Sequence, residues 1–437
     1  MTNTNDEKYY QSHSNEIEWV DEWSFKSANT ATYTHKIHKY PAMFIPQLVR
    51  KVIERYTNEG DTVLDIFNGS GSTMVECALT GRNAVGIEIN PLAQLIAKVK
   101  TTKIDIKLLS DCLGMIEGHF YDDGIQFNII DFDGIDFWFE GDTKVHISKL
   151  LTCLSNYQKD VVDFFKVCLS ENIRNVSVCN HSGFKMHRDQ DKIGVIISKE
   201  KFFNMFRKTS LKNIKALETF NNQTKNTKIE IIKGSSTDLQ NIPAESIDLI
   251  LTSPPYGDSQ TTVAYGQFSR LSSQCFGFKL DGLPDISQLD KKLLGGIKQN
   301  FDIYKNIIER SITIRNINEY FQEKIKSTDD KKKLENRLND VLSFYYDLDK
   351  CLKNGEYYLK KNKHFILVTG SRIVKEFKMH TDLIIAELSE EYNMELTSIF
   401  YRNIESKRMP SKGSATNVSG VKNSTINRES IIVLRKN

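Results

Sequence analysis

Short apolar runs bounded by Gly, Asn and Ser recur along the chain and set its plan. Asp61–Phe67 (DTVLDIF), Asn83–Ile89 (NAVGIEI), Lys228–Gly234 (KIEIIKG), Ser246–Ser253 (SIDLILTS) and His364–Gly370 (HFILVTG) have the length and composition of strands buried on both faces. Glycines after the first run mark a tight turn and Met74–Thr80 suits a helix, so a β-α-β unit is predicted from Asp61 to Ile89. Gln47–Arg55 reads as an amphipathic helix ahead of it. Behind it, Asn90 is placed to cap a helix that starts at Pro91 and turns Leu92, Leu95, Ile96 and Val99 to one side. The alternation stops over residues 101–228, where stretches such as SKLLTCLSNYQKDVVDFFKVCL are helical in pattern and poor in glycine. An inserted, largely helical module is expected there. A charged helical segment covers 280–345, and the end of the chain predicts a strand around Leu396–Tyr401, a basic loop and a last strand at Ser430–Lys436.

The sum is an α/β fold: a doubly wound, mostly parallel sheet with a helical insertion and a terminal β-hairpin. Its sheet domain is expected in pieces, 23–100, 229–279 and 346–437, behind a polar, acidic segment 1–22 with no apolar period, which is expected to be a mobile tail.

Composition narrows the class. With 39% hydrophobic and 26% charged residues, neither a membrane protein nor a wholly disordered chain is indicated. No run approaches the ~20 apolar residues of a membrane span, and the start of the chain lacks a signal-peptide plan, so a cytoplasmic location is expected. Seven cysteines without a Cys-x-x-Cys pair fit reduced thiols, and no metal is expected. A net charge of +3 decides nothing about nucleic acid.

Two motifs carry the chemistry. Asp65-Ile-Phe67-Asn-Gly69-Ser-Gly71-Ser-Thr73 lies between a strand and a helix, where glycines admit a ligand close to the backbone and the helix start offers free N–H groups. Glu88 near the end of the next strand stands where doubly wound nucleotide binders place an acid on ribose hydroxyls. The pair points to an adenosyl cofactor, with Asn90 beside it. The second motif, Thr252-Ser253-Pro254-Pro255-Tyr256, ends a buried strand. Two prolines fix the backbone so that the Ser253 side chain and a proline carbonyl face outward. Two acceptors on the hydrogens of a conjugated amine favour the pyramidal geometry needed for in-line attack on a methyl group, and Tyr256 is suited to stack on a flipped base.

These residues resemble the amino-methylating DNA methyltransferases, whose hallmarks are an F-x-G-x-G loop and a D/N/S-P-P-Y/F/W tetrapeptide. The resemblance covers about half the chain, residues 30–102, 228–278 and 360–437. It implies a Rossmann-like fold, S-adenosyl-L-methionine as cofactor, duplex DNA as substrate and a restriction endonuclease as system partner. The TSPPY spelling is similar to the cytosine-N4 branch, with adenine N6 as the alternative. Thr34 to Phe44, including His38, Tyr40 and Pro41, resembles the segment over the methionine end of the cofactor. Where the family often has Gly-Asp after the third strand, this chain has Gly234-Ser235-Ser236-Thr237-Asp238, so an adenine contact falls to Asp238 or is lost. The absence of a Pro-Cys dipeptide argues against methylation of carbon 5. RNA and protein-glutamine methyltransferases share a related loop on the same fold, and a non-catalytic, cofactor-binding specificity subunit is the reading from another class. The intact hallmarks stand against the last. The insertion 101–228 is large enough to be a target-recognition module; candidate DNA contacts are Arg174, Lys185 and Arg188 within it and Arg402, Lys407, Arg408 and Lys412 around the terminal loop, while the lysine-rich stretch 199–228 is nearly as readable as a solvated helix as it is as a phosphate-binding cluster.

Overall fold

In the computed structural model, residues 17–19, 23–180, 183–258, 262–403, 412–414, 422–424 and 428–437 are described. Period-two burial builds the sheet. Val63 of β2 (Thr62–Asp65), Leu249 and Leu251 of β5 (Ile247–Thr252), Ile366 and Val368 of β6 (Leu359–Thr369), and Ile431 and Val433 of β12 (Arg428–Lys436) face one apolar cluster. Their neighbours Leu64, Ile250, Phe365, Leu367, Ile432 and Leu434 face another. Strands with apolar residues on both sides need a layer of helices on each face.

The first layer contains α1 (Pro46–Tyr56), α2 (Ser72–Thr80) and α3 (Pro91–Thr101); Asn90 caps the last by accepting from the Leu92 N–H at 3.1 Å. It continues into α4 (Ile106–Tyr121), α5 (Thr143–Leu154), α6 (Lys159–Val176) and α7 (Lys199–Asn221) of the 101–228 segment, and into α8 (Tyr265–Cys275). One cluster joins these helices, centred on Phe120, Phe164, Phe165, Phe202, Phe203, Phe206 and Phe220, all fully buried. At about 1.5–3 kcal/mol for each buried phenylalanine, the segment is packed firmly onto α3 and α8. The opposite face is covered by α9 (Ile312–Lys326), α10 (Lys331–Tyr358) and α11 (Thr381–Ser389).

Strand order is β1-β9-β12-β6-β5-β2-β3-β4, with β1 at Ile17–Trp19, β3 at Asn83–Glu88, β4 at Ile229–Lys233 and β9 at Met394–Asn403, while β7 (Arg372–Val374) and β8 (Phe377–Met379) pair antiparallel apart from it. Pairs from β4 through β6 are parallel, while β12 runs antiparallel to both β6 and β9. The chain leaves β2 for β3 and β4 on one side and returns to β5 on the other, so a crevice opens between β2 and β5 at their carboxyl ends. Every expected strand forms, as does the terminal hairpin. The segment read as a mobile tail holds β1, parallel to β9 from Ile17↔Ile399 to Trp19↔Tyr401; three residues are too few for a period to show. No helix among the described residues is long and apolar enough to cross a membrane.

Candidate active site

The glycine loop is anchored from below. Asp65, buried at the end of β2, accepts hydrogen bonds from the hydroxyls of Thr73 (2.6 Å) and Thr252 (2.7 Å) and from the Phe67 N–H (3.1 Å). Thr252 directly precedes Ser253, so this carboxylate ties the two motifs together. Burial pushes its carboxyl up to about 6 against the pull of those donors. Beneath the loop the buried Lys100 ammonium donates to the Ser70 hydroxyl at 3.1 Å, and burial lowers its pKa to about 7. Gly69 and Gly71 both adopt positive φ, +51° and +81°, for different reasons. A Cβ on Gly69 would find nothing nearer than 3.9 Å, because the position faces the crevice; on Gly71 it would lie 2.7 Å from the Ala97 Cβ of α3.

Glu88 closes the next strand. Its carboxylate accepts from the Gly69 N–H at 2.7 Å and the Asn90 N–H at 2.8 Å, and burial raises its pKa to about 7. The Asn90 amide donates to the Tyr40 hydroxyl (3.0 Å) and to Ser269 of α8 (2.7 Å), drawing the aromatic segment before α1 over the loop.

These groups line a crevice with about 920 Å³ of empty space, part of it open to solvent. Among the residues singled out from sequence, Tyr40, Pro41, Asp65, Phe67, Gly69, Glu88, Asn90, Ser253 and Pro255 stand in its wall. An adenosyl-methionine group fits this setting. Ile87, Ile89, Phe67, Pro255 and Leu293 supply apolar surface for a purine, and each Glu88 oxygen has acceptor capacity beyond its one backbone donor. Ala42, Met43 and Phe44, from the segment read as covering the methionine end of the cofactor, line the crevice too; missed from sequence were Tyr265 and Lys292–Leu294. The last three lie in the charged segment after β5, where no motif marks them.

Several expectations are corrected. His38 lies outside the crevice wall, with Nε2 3.0 Å from the Ser170 hydroxyl of α6 and Nδ1 2.5 Å from its neighbour's carbonyl; burial holds its pKa down. Gly71 packs helices, and Asp238 is exposed, its place in the wall taken by Gly234, Ser235 and Ser236. Ser236 replaces a side-chain contact with structure, donating to the Ile66 carbonyl under the loop.

In the tetrapeptide the Ser253 hydroxyl donates to the Val368 carbonyl at 2.9 Å. With that hydrogen committed to β6, the oxygen can serve a further ligand only as an acceptor. Pro254 is buried, and Tyr256 is not part of the crevice wall; its hydroxyl donates to Glu429 at 2.8 Å.

The basic candidates separate. Arg402 is 4% exposed and holds the Glu429 carboxylate at 2.7 Å, so it is an internal ion pair and no phosphate contact. Arg174 donates to the Asn180 and Gly183 carbonyls and lies over the Phe268 ring, while Arg188 pairs with Glu140 and covers Phe137. Both are occupied within the fold. Lys185 is exposed. Lys407 and Arg408 lie outside the described residues, and Lys412 begins the short strand β10 (Lys412–Ser414), which pairs antiparallel with β11 (Lys422–Ser424).

A family model described as DNA methylase, of the N6/N4 kind, matches residues 1–99. The type II methyltransferase M.MvaI of Kocuria varians is 36% identical over 432 residues, covering 94% of this chain and 93% of that protein. The type II methyltransferase M.MjaII of Methanocaldococcus jannaschii is 47% identical over 81 residues, 18% of this chain and 15% of that one. Among solved structures, the rRNA methyltransferase AviRa of Streptomyces viridochromogenes aligns over 96% of this chain and 94% of its own at 10% identity and a TM-score of 0.32, a similarity too low to bear on fold or function.

Proposed function

Because this chain belongs to the N6/N4 DNA methylases, the type II enzymes that methylate exocyclic amino groups, we propose that its target is the N4 of cytosine in duplex DNA. S-adenosyl-L-methionine is its cofactor; when bound, it supplies an electrophilic methyl group on sulfonium. What supports the base assignment is the Ser-Pro-Pro-Tyr spelling headed by Ser253, which is similar to the cytosine-N4 branch; Ser253 lines the crevice with its hydroxyl hydrogen already given to Val368, as an acceptor for an amine requires.

In this reading Glu88 takes the ribose hydroxyls and the apolar wall takes the adenine. A base swung out of the duplex stacks on Tyr256. Ser253 Oγ and the Pro254 carbonyl accept from its amino hydrogens, drawing the nitrogen lone pair out of conjugation with the ring and toward the methyl carbon. Held in this way the amine would take the methyl group that the cofactor supplies and would pass its surplus proton to water. No covalent bond from the protein to the base is needed. The seven cysteines agree, for all are buried and unbonded, and burial pushes the Cys168 thiol up to about 12, far from a usable thiolate. A restriction endonuclease of the same specificity is the expected system partner.

Digestion of methylated duplex DNA to nucleosides, followed by mass spectrometry, tests the proposal. N4-methylcytosine is expected. N6-methyladenine alone overturns the base assignment and leaves the mechanism, whereas 5-methylcytosine overturns both.

A further inference from the structure

The terminal hairpin reaches the reacting loop through one chain of buried and half-buried polar contacts. Glu429 and Arg402 are directly paired across β12 and β9. Arg402 Nε and Nη2 both lie 2.7 Å from Glu429 Oε2, and its Nη1 donates to the Trp23 carbonyl at 3.2 Å. That leaves Oε1 of the same carboxylate, which accepts from the Tyr256 hydroxyl at 2.8 Å. Burial and the adjacent carboxylate raise the phenol well above its ordinary value, so the proton it donates stays in place.

Tyr256 is thereby held at both ends. Its backbone follows two prolines and precedes Gly257, where a Cβ would sit 2.1 Å from the Arg372 guanidinium; Arg372 in turn donates to Asp258 at 3.1 Å. Only the two side-chain torsions are left: the bond to Glu429 holds the hydroxyl oxygen and with it the first torsion, and because a phenol O–H prefers the plane of its ring, the direction of that bond orients the ring about the second. Stacking alone requires no hydroxyl, since a phenylalanine offers the same face. A buried ion pair contributes little net stability against a well-packed apolar substitute, so geometry is the effect that distinguishes this arrangement.

We propose that Glu429, oriented by Arg402, is a positioning residue for methyl transfer: it sets the plane of the Tyr256 ring and hence the position of the base stacked on it. The inference rests on the reading that Tyr256 carries the flipped base. The sheet is thus more than a scaffold here, because its last strand fixes the angle at which the amine meets the methyl group.

Single-turnover transfer of labelled methyl groups to long unmethylated duplex DNA, at saturating cofactor, tests it. Tyr256→Phe removes the hydroxyl and leaves the Glu429–Arg402 pair intact, so folding is preserved. The expected result is a rate lower by about tenfold, with cofactor affinity and melting temperature unchanged. Glu429→Gln is expected to slow the wild-type enzyme and to add nothing in the Tyr256→Phe background, since two changes in one linkage do not add. A Tyr256→Phe enzyme working at the wild-type rate, or two losses that multiply, overturns the proposal. Tyr256→Ala separates the premise: full activity in that variant removes the stacking reading itself, while a large loss together with a silent Tyr256→Phe removes only the role of Glu429.

Discussion

Glu88 shows how much a single carboxyl can report. Its ordinary value of 4.5 rises to about 7 through desolvation, opposed by the Asn90 and Gly69 N–H groups. Ribose hydroxyls bond better to the ionised form, so cofactor binding draws the proton off. Affinity measured by calorimetry is expected to fall by about tenfold between pH 8 and pH 6, where roughly a tenth of a group of this pKa stays ionised. Lys100, lowered to about 7 beneath Ser70, and Asp65, raised to about 6, titrate close by. Glu88→Gln separates the contributions: it should weaken binding at pH 8 and flatten the profile, and an unaltered profile would assign the effect to the other two. For stability the sign is different. A carboxyl raised in the folded state contributes most below its unfolded value, and that contribution is lost as pH rises through about 7.

At the level of elements, the glycine loop is one turn with two jobs. Gly71 sits where α2 presses on α3, and Gly69 sits where the crevice opens. Gly71→Ala should therefore destabilise the fold by about 1–3 kcal/mol through overpacking against Ala97, with a matching drop in the denaturation midpoint. Gly69→Leu has room for its Cβ but must hold φ at +51°, so it is expected to lose about 1 kcal/mol to backbone strain, less than Gly71→Ala, while its longer side chain blocks the cofactor. If both variants lose stability alike, the division of labour within the turn is wrong. The helix after Asn90 follows the same logic: cap, Pro91 and apolar spacing all act within a few residues, and the element formed as its sequence implies.

For the whole molecule, the helices between residues 101 and 228 share one apolar cluster with α3 and α8, so that segment is firmly joined to the elements around the crevice. Arg174, Arg188 and Arg402 are held inside the fold; we propose Lys185, on the exposed loop before α7 and within the field of Asp290, as a phosphate contact, with Lys407 and Arg408. DNA affinity in filter binding is expected to fall linearly on a log–log plot against salt. Lys185→Glu should make the slope shallower by about one unit or more, in every sequence context. An unchanged slope would move the duplex to another face.

The strands, the glycine turn, Glu88 and the Thr-Ser-Pro-Pro-Tyr turn were legible in the sequence by itself, because each depends on forces acting within one element: two-sided apolar runs, φ restricted by proline or freed by glycine, and a helix start offering N–H groups. Only the tertiary structure decided the rest. Lys292–Leu294 reach the crevice from a segment with no motif, His38 turns toward Ser170 in α6, and Arg402 meets Glu429 across two strands joined far along the chain. A charged or titratable side chain reads the same in sequence whether it faces water, phosphate or a buried partner. Its role is fixed by the residue that folding places opposite it, and here that partner lies tens to hundreds of positions away.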